Sequence, residues 1–136
     1  MDNNEQNELF SLSTNLWLIV KRDIETKIIT GEYEAGKKIP TIVELVEQYH
    51  IGKTTAQKVI NALNDEGTII KKVGIGCFVK PFVKEKLLAQ HKKEIEKKIE
   101  NFVIESLFLG ISKEYVTQLI DKVWNSETMK EKNLSV

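Results

Sequence analysis

The sequence is short of cysteine, proline, histidine, arginine and long apolar runs. One cysteine, Cys77, in 136 residues excludes an internal disulfide and a multi-cysteine metal site. It fits a reducing compartment, and a cytoplasmic location is expected. The two histidines, His50 and His91, lie far apart with no ligand spacing around them, so no metal is expected. No apolar stretch approaches the roughly 18–20 residues of a membrane span. The polar, acidic residues 1–8 do not have the pattern of a secretory signal. No Ser/His/Asp set, paired-carboxylate motif or phosphate loop is present, so the expectation is a non-enzyme without cofactor. Arg22 is the sole arginine among 20 basic residues. Charged recognition therefore falls to lysine, a point charge without the bidentate fork of a guanidinium.

What is there is a balanced but unevenly spread charge. Twenty acidic residues cancel the 20 basic ones. Residues 1–36 carry three basic and seven acidic side chains, residues 37–80 seven and four, and residues 81–136 ten and nine. The middle of the chain is the basic part, and for a nucleic-acid binder distribution matters more than the sum.

Residues 1–12 lack apolar periodicity and are expected to form a mobile tail. From Leu16 the apolar positions Leu16, Ile19, Val20, Ile24 and Ile28 form a helical stripe, which Gly31 ends. Thr41 and Glu44 form a capping box for a second helix bearing Ile42, Leu45, Val46 and Tyr49. A third helix runs from about Lys53 to Glu66, with Ala56, Val59, Ile60 and Leu63 on its apolar face. Two short β-branched runs flank Gly74-Ile75-Gly76 and read as a hairpin closed by Pro81. The order helix, helix, helix, hairpin is a winged helix-turn-helix, expected over residues 13–80. Residues 81–125 read as two further helices, and residues 126–136 as a polar tail. The fold class is thus mainly α with a small β-hairpin.

The outward face of the third helix holds Lys53, Thr54, Thr55, Gln57, Lys58 and Asn61. Such a face suits the major groove of double-stranded DNA, where glutamine pairs with adenine and threonine meets a phosphate or a thymine methyl. Thr41, Lys71, Lys72, Gly74 and Gly76 are candidates for backbone contacts, with Lys80 nearby. After Pro81, Leu88, His91, Ile95, Ile99, Phe102 and Val103 form one stripe and Val116, Leu119, Ile120, Val123 and Trp124 another. Two helices cannot cover their own apolar faces, so these residues are expected to form a homodimer.

Residues 16–80 resemble the DNA-binding domain of the GntR family of bacterial transcription regulators. The resemblance is carried by Gly31-Glu-Tyr-Glu-Ala-Gly36, Lys38-Ile-Pro-Thr41, Glu44-Leu45, Ile51-Gly-Lys-Thr-Thr55, Leu63-Asn-Asp-Glu-Gly67 and Gly74-Ile-Gly-Cys-Phe-Val79. The short tail, with Leu109-Gly-Ile-Ser-Lys-Glu114 between its helices, resembles the YtrA subfamily. That likeness implies a two-helix dimerisation region and transport genes as targets. Val43, Gln57 and Ile75 stand where the family commonly has a basic residue. The resulting expectation is a sequence-specific repressor that binds an inverted-repeat operator as a homodimer. Room is left for an unidentified small-molecule effector, and no membrane is involved. The alternative is a winged-helix module that docks on protein.

Overall fold

The computed structural model describes the backbone of residues 3–134 and the side chains of residues 15–131. In chain order the elements are α1 (Asn3–Ile29), α2 (Ile42–Tyr49), α3 (Lys53–Asp65), β1 (Ile69–Lys72), β2 (Gly76–Val79), α4 (Val83–Phe108) and α5 (Lys113–Leu134). They divide into two compact units, Met1–His91 and Lys92–Val136.

The first unit is built around α3. Its apolar face, Ala56, Val59, Ile60 and Leu63, is fully buried. Val20, Ile24 and Ile28 of α1 and Leu45 of α2 close over it, with Ile69 and Val79 from the hairpin. Ile19, expected on the α1 stripe, is instead exposed, and Trp17 packs against the core. Thr41 caps α2 as the sequence suggests. Its hydroxyl accepts from the Glu44 amide at 3.2 Å, and Glu44 Oε1 accepts from the Thr41 amide at 3.2 Å. That pairing holds the Glu44 carboxyl below its usual range, chiefly through the Thr41 backbone hydrogen bond.

The turn into α3 depends on His50, which adopts the left-handed conformation at φ 52°. Buried Ile51 follows it and anchors the turn in the core. β1 and β2 pair antiparallel from Ile69 opposite Val79 to Lys72 opposite Gly76. A short third edge joins β2, where the Ile39 amide donates to the Cys77 carbonyl at 2.9 Å and the Val79 amide to the Lys37 carbonyl at 2.9 Å. Phe82, just before α4, has φ 65° and is largely exposed.

Three boundaries differ from the sequence reading. Residues from Asn3 onward are helical, not a tail. No glycine or proline lies between Asn3 and Ile29, and early acidic residues suit a helix N-terminus. At the other end α5 continues to Leu134, sustained by Lys130 to Glu127 at 3.1 Å and by the same lack of breakers. Residues 1–2 and 135–136 of the two expected tails lie outside the described residues. The first unit also reaches past Pro81 to His91. Val83 and Leu87 are buried in its core, and His91 Nε2 lies 3.5 Å from buried Glu25 Oε1. His91, expected on the pairing stripe, thus faces α1.

In the second unit α4 ends at Phe108, and Gly110 beyond it, at φ 69°, lets the Ile111 amide reach back to the Ser106 carbonyl at 3.0 Å. Ser112 caps α5 by accepting from the Tyr115 amide at 3.1 Å. Among the described residues from 92 onward, Ser106 alone is buried.

Candidate nucleic-acid interface

Five of the six residues expected on the outward face of α3 line one shallow depression of about 420 Å³: Lys53, Thr54, Gln57, Lys58 and Asn61. Thr55 is half-buried and does not line it. The depression exists because its residues lie on the face opposite the buried stripe, at helical spacing.

Three of its side chains, Gln57, Lys58 and Asn61, are tied to neighbours. Gln57 Nε2 donates to Asn61 Oδ1 at 3.0 Å across one turn. This leaves Gln57 Oε1 as an acceptor and the Asn61 amide nitrogen as a donor. An acceptor beside a donor matches the adenine edge in the major groove, which offers an N6 donor and an N7 acceptor. The Lys58 ammonium sits 4.6 Å from the centre of the Trp17 ring, a cation–π contact that ties α3 to α1. Sequence reasoning missed this role of Trp17, and no spacing signal would have revealed it.

The hairpin brings a second set of groups beside α2. Thr41, Lys71, Lys72, Gly74 and Gly76 line a separate cleft of about 460 Å³. Lys72 is placed by Phe78, whose ring centre lies 4.7 Å from its ammonium. A side chain at Gly76 would bring a Cβ within 2.7 Å of Lys38 Cε, so glycine there lets Lys38 cross the hairpin. Thr41 is less available than expected, because the capping box occupies its backbone donor. Lys80 is exposed and paired to the wing through its amide, which donates to the Thr68 carbonyl at 3.0 Å. Burial raises the Cys77 thiol above its ordinary range, with the Lys71 charge opposing.

A polar network links α2 to α1. The Tyr49 hydroxyl donates to Asp23 Oδ2, and Lys27 Nζ reaches the Tyr49 hydroxyl and Asp23 Oδ2 at 3.3 Å each. Burial, then the bond to Asp23, pushes the Tyr49 hydroxyl up to about 12. Burial opposes the charge on Lys27, but the Tyr49 hydrogen bond and the nearby Tyr33 outweigh it, and its pKa is raised. Among the described residues no cluster of histidine, cysteine or carboxylate side chains could hold a metal.

Three helices with a short turn before the third, followed by a lysine-bearing hairpin, define a winged helix-turn-helix protein. Residues 18–79 match the family model for bacterial regulatory proteins of the gntR family. The structure is similar to a GntR family transcriptional regulator from Listeria monocytogenes, at 30% identity and a TM-score of 0.64, covering 79% of this chain and 93% of that one. The chain belongs to the GntR family of bacterial regulatory proteins. An uncharacterized HTH-type transcriptional regulator of Bacillus subtilis, YurK, is 38% identical over 78 residues, 57% of this chain and 32% of the relative. The histidine utilization repressor of Klebsiella aerogenes is 35% identical over 60 residues, 44% of this chain and 25% of the relative. The chain therefore spans about a third or less of the length of these curated relatives. Among the described residues no helix is long and apolar enough to cross a membrane.

Proposed function

We propose that this chain is a sequence-specific DNA-binding transcription regulator, a repressor acting in the cytoplasm as a homodimer on an inverted-repeat operator. The observation that carries the reading is the lysine-rimmed depression on α3, with the acceptor and donor of its Gln57–Asn61 pair. In this reading α3 enters the major groove. Gln57 and Asn61 read one adenine, Thr54 meets a neighbouring base or phosphate, and Lys53 and Lys58 hold the backbone. Lys71 and Lys72 on the wing hold phosphates, and Gly74 and Gly76 let the turn come close. Thr41 and Thr55 contribute at the edge of the footprint. Repression is the activity named for the Klebsiella relative, and a protein seated where polymerase must bind regulates by occupancy alone.

The second unit supports pairing. Ile95, Ile99, Phe102, Val103, Leu119, Ile120, Val123 and Trp124 are all at least 40% exposed. A patch of that kind marks an interaction surface. An apolar groove of about 510 Å³ runs between Phe102, Val116 and Trp124, and a second copy of the chain fills it. The two-helix region after the wing agrees with a YtrA-like member of the family, with transport genes as targets. Leu88, 38% exposed on α4 of the first unit, extends the stripe, whereas His91 is spent on Glu25. A small-molecule effector, if one acts, would bind where the copies meet. Affinity also needs the dimer. Each phosphate neutralised steepens the salt dependence, with log K falling by roughly 0.9 per decade of salt. Three or four lysines per protomer make about six to eight contacts as a pair and half as many alone.

The test is selection of bound duplexes from a random pool at fixed salt, followed by footprinting. The expected result is an inverted repeat with half-sites about one helical turn apart. A soluble dimeric protein that enriches no sequence would overturn the reading and favour docking on protein. Lys72→Ala is expected to weaken binding to all sequences alike and lower the salt slope by about one.

A further inference from the structure

The wing tip is apolar where a phosphate-gripping loop would be polar. Val73 is 95% exposed, Ile75 58% and, across the cleft, Val43 of α2 74%. These three line the same cleft as Lys71 and Lys72. Elsewhere on the hairpin Ile69 and Val79 are buried and Ile70 is 38% exposed, so the tip is the part of the wing that leaves its apolar side chains most open to water. The turn is tight: the Ile75 amide donates to the Lys72 carbonyl at 3.0 Å, and Gly74 takes φ 76°. Val73 and Ile75 flank that glycine at the outermost point of the hairpin.

We infer that the wing tip is an apolar reader of the DNA minor groove that selects A·T pairs in the flank of the operator by excluding the 2-amino group of guanine. This rests on the DNA-binding reading above and says which base pairs the wing tolerates. The occupant is DNA because the cleft is framed by lysine. Lys71 and Lys72 line it, and Lys38 crosses Gly76 beside it. The nearby Glu44 carboxylate is engaged by the Thr41 amide.

The discrimination follows from the side chains present. In the minor groove A·T and T·A pairs show only acceptors, whereas a G·C pair adds the guanine N2 donor. The side chains of the tip offer ammonium donors and hydrocarbon but no acceptor. An ammonium from the rim can satisfy adenine N3 or thymine O2. A guanine amine pressed against Val73 and Ile75 meets no side-chain acceptor, and a buried donor left unpaired is costly. Apolar wedges are a known means of engaging this groove.

The experiment measures binding of the full chain, at fixed salt, to selected duplexes whose core half-sites are constant. The pairs under the wing are A·T, G·C or inosine·C. Inosine keeps the major-groove edge of guanine and lacks the amine. The expected result is about tenfold weaker binding with G·C than with A·T, and recovery with inosine·C to within about twofold of A·T. In the double variant Val73→Ala, Ile75→Ala, with melting temperature checked, the G·C discrimination falls below about threefold while the salt slope is unchanged. Lys72→Ala weakens all three duplexes equally. Equal affinity for the three flanks, inosine·C as weak as G·C, or discrimination retained in the double variant would each overturn the inference while leaving the regulator reading intact. Failure to bind any duplex would overturn both.

Discussion

Gln57 and Asn61 act as one group. Because the Gln57 amide donates to Asn61, removing either partner disturbs the acceptor and donor that remain. Gln57→Ala should cost about 1–3 kcal/mol at one base step. Asn61→Ala should cost a similar amount at the same step, and the double variant should cost clearly less than the sum, because contacting residues do not add. A double-mutant cycle on selected and random duplexes measures this. Equal losses on both duplexes would speak against base readout. Tyr49 carries a different prediction. Its hydroxyl is pushed up to about 12 by burial and by the bond to Asp23, from an ordinary value near about 10. Folding therefore favours the protonated form, and the gain is complete below about pH 10 and lost as pH rises through about 12. Tyr49→Phe should cost about 1 kcal/mol at pH 8, and thermal melts of the two proteins should converge between pH 10 and 12.

At the scale of the elements, α2 is eight residues long and depends on its ends. Thr41→Ala removes the side-chain half of the capping box and should lower stability by about 1 kcal/mol, read by denaturant titration. The companion carboxyl of Glu44 is held below its usual range, so its part of the cap fades as pH falls through that depressed value. This box, the buried stripe of α3 and the hairpin were all legible in the sequence, because each is a short-range pattern with one structural solution. Helix ends were not. Residues 3–12 and 126–134 carry no apolar rhythm, yet they contain no glycine or proline and run on as helix from their neighbours. The candidate interface was legible as a set of residues on one face of α3. Its internal ties, Lys58 on Trp17 and Gln57 to Asn61, were less so. The first joins side chains 41 positions apart in sequence, and spacing says nothing of such pairs. His91 fell on an apolar stripe by position, but buried Glu25 claims it from α1.

For the whole molecule, zero net charge hides a basic middle segment, and the second unit leaves its apolar side chains in water. Ile99→Glu together with Ile120→Glu should give a folded monomer by sedimentation velocity, with operator affinity lowered by about two orders of magnitude as the two half-sites lose their linkage. A variant that stays dimeric would place the pairing elsewhere. One backbone detail bears on the stability of the entire chain. Phe82 holds a left-handed conformation that costs a bulky L-residue about 1–2 kcal/mol, and its open position returns little of that through packing. The joint between wing and α4 is thus a built-in spring, and Phe82→Asn should relax it and raise the melting temperature by about 3 °C.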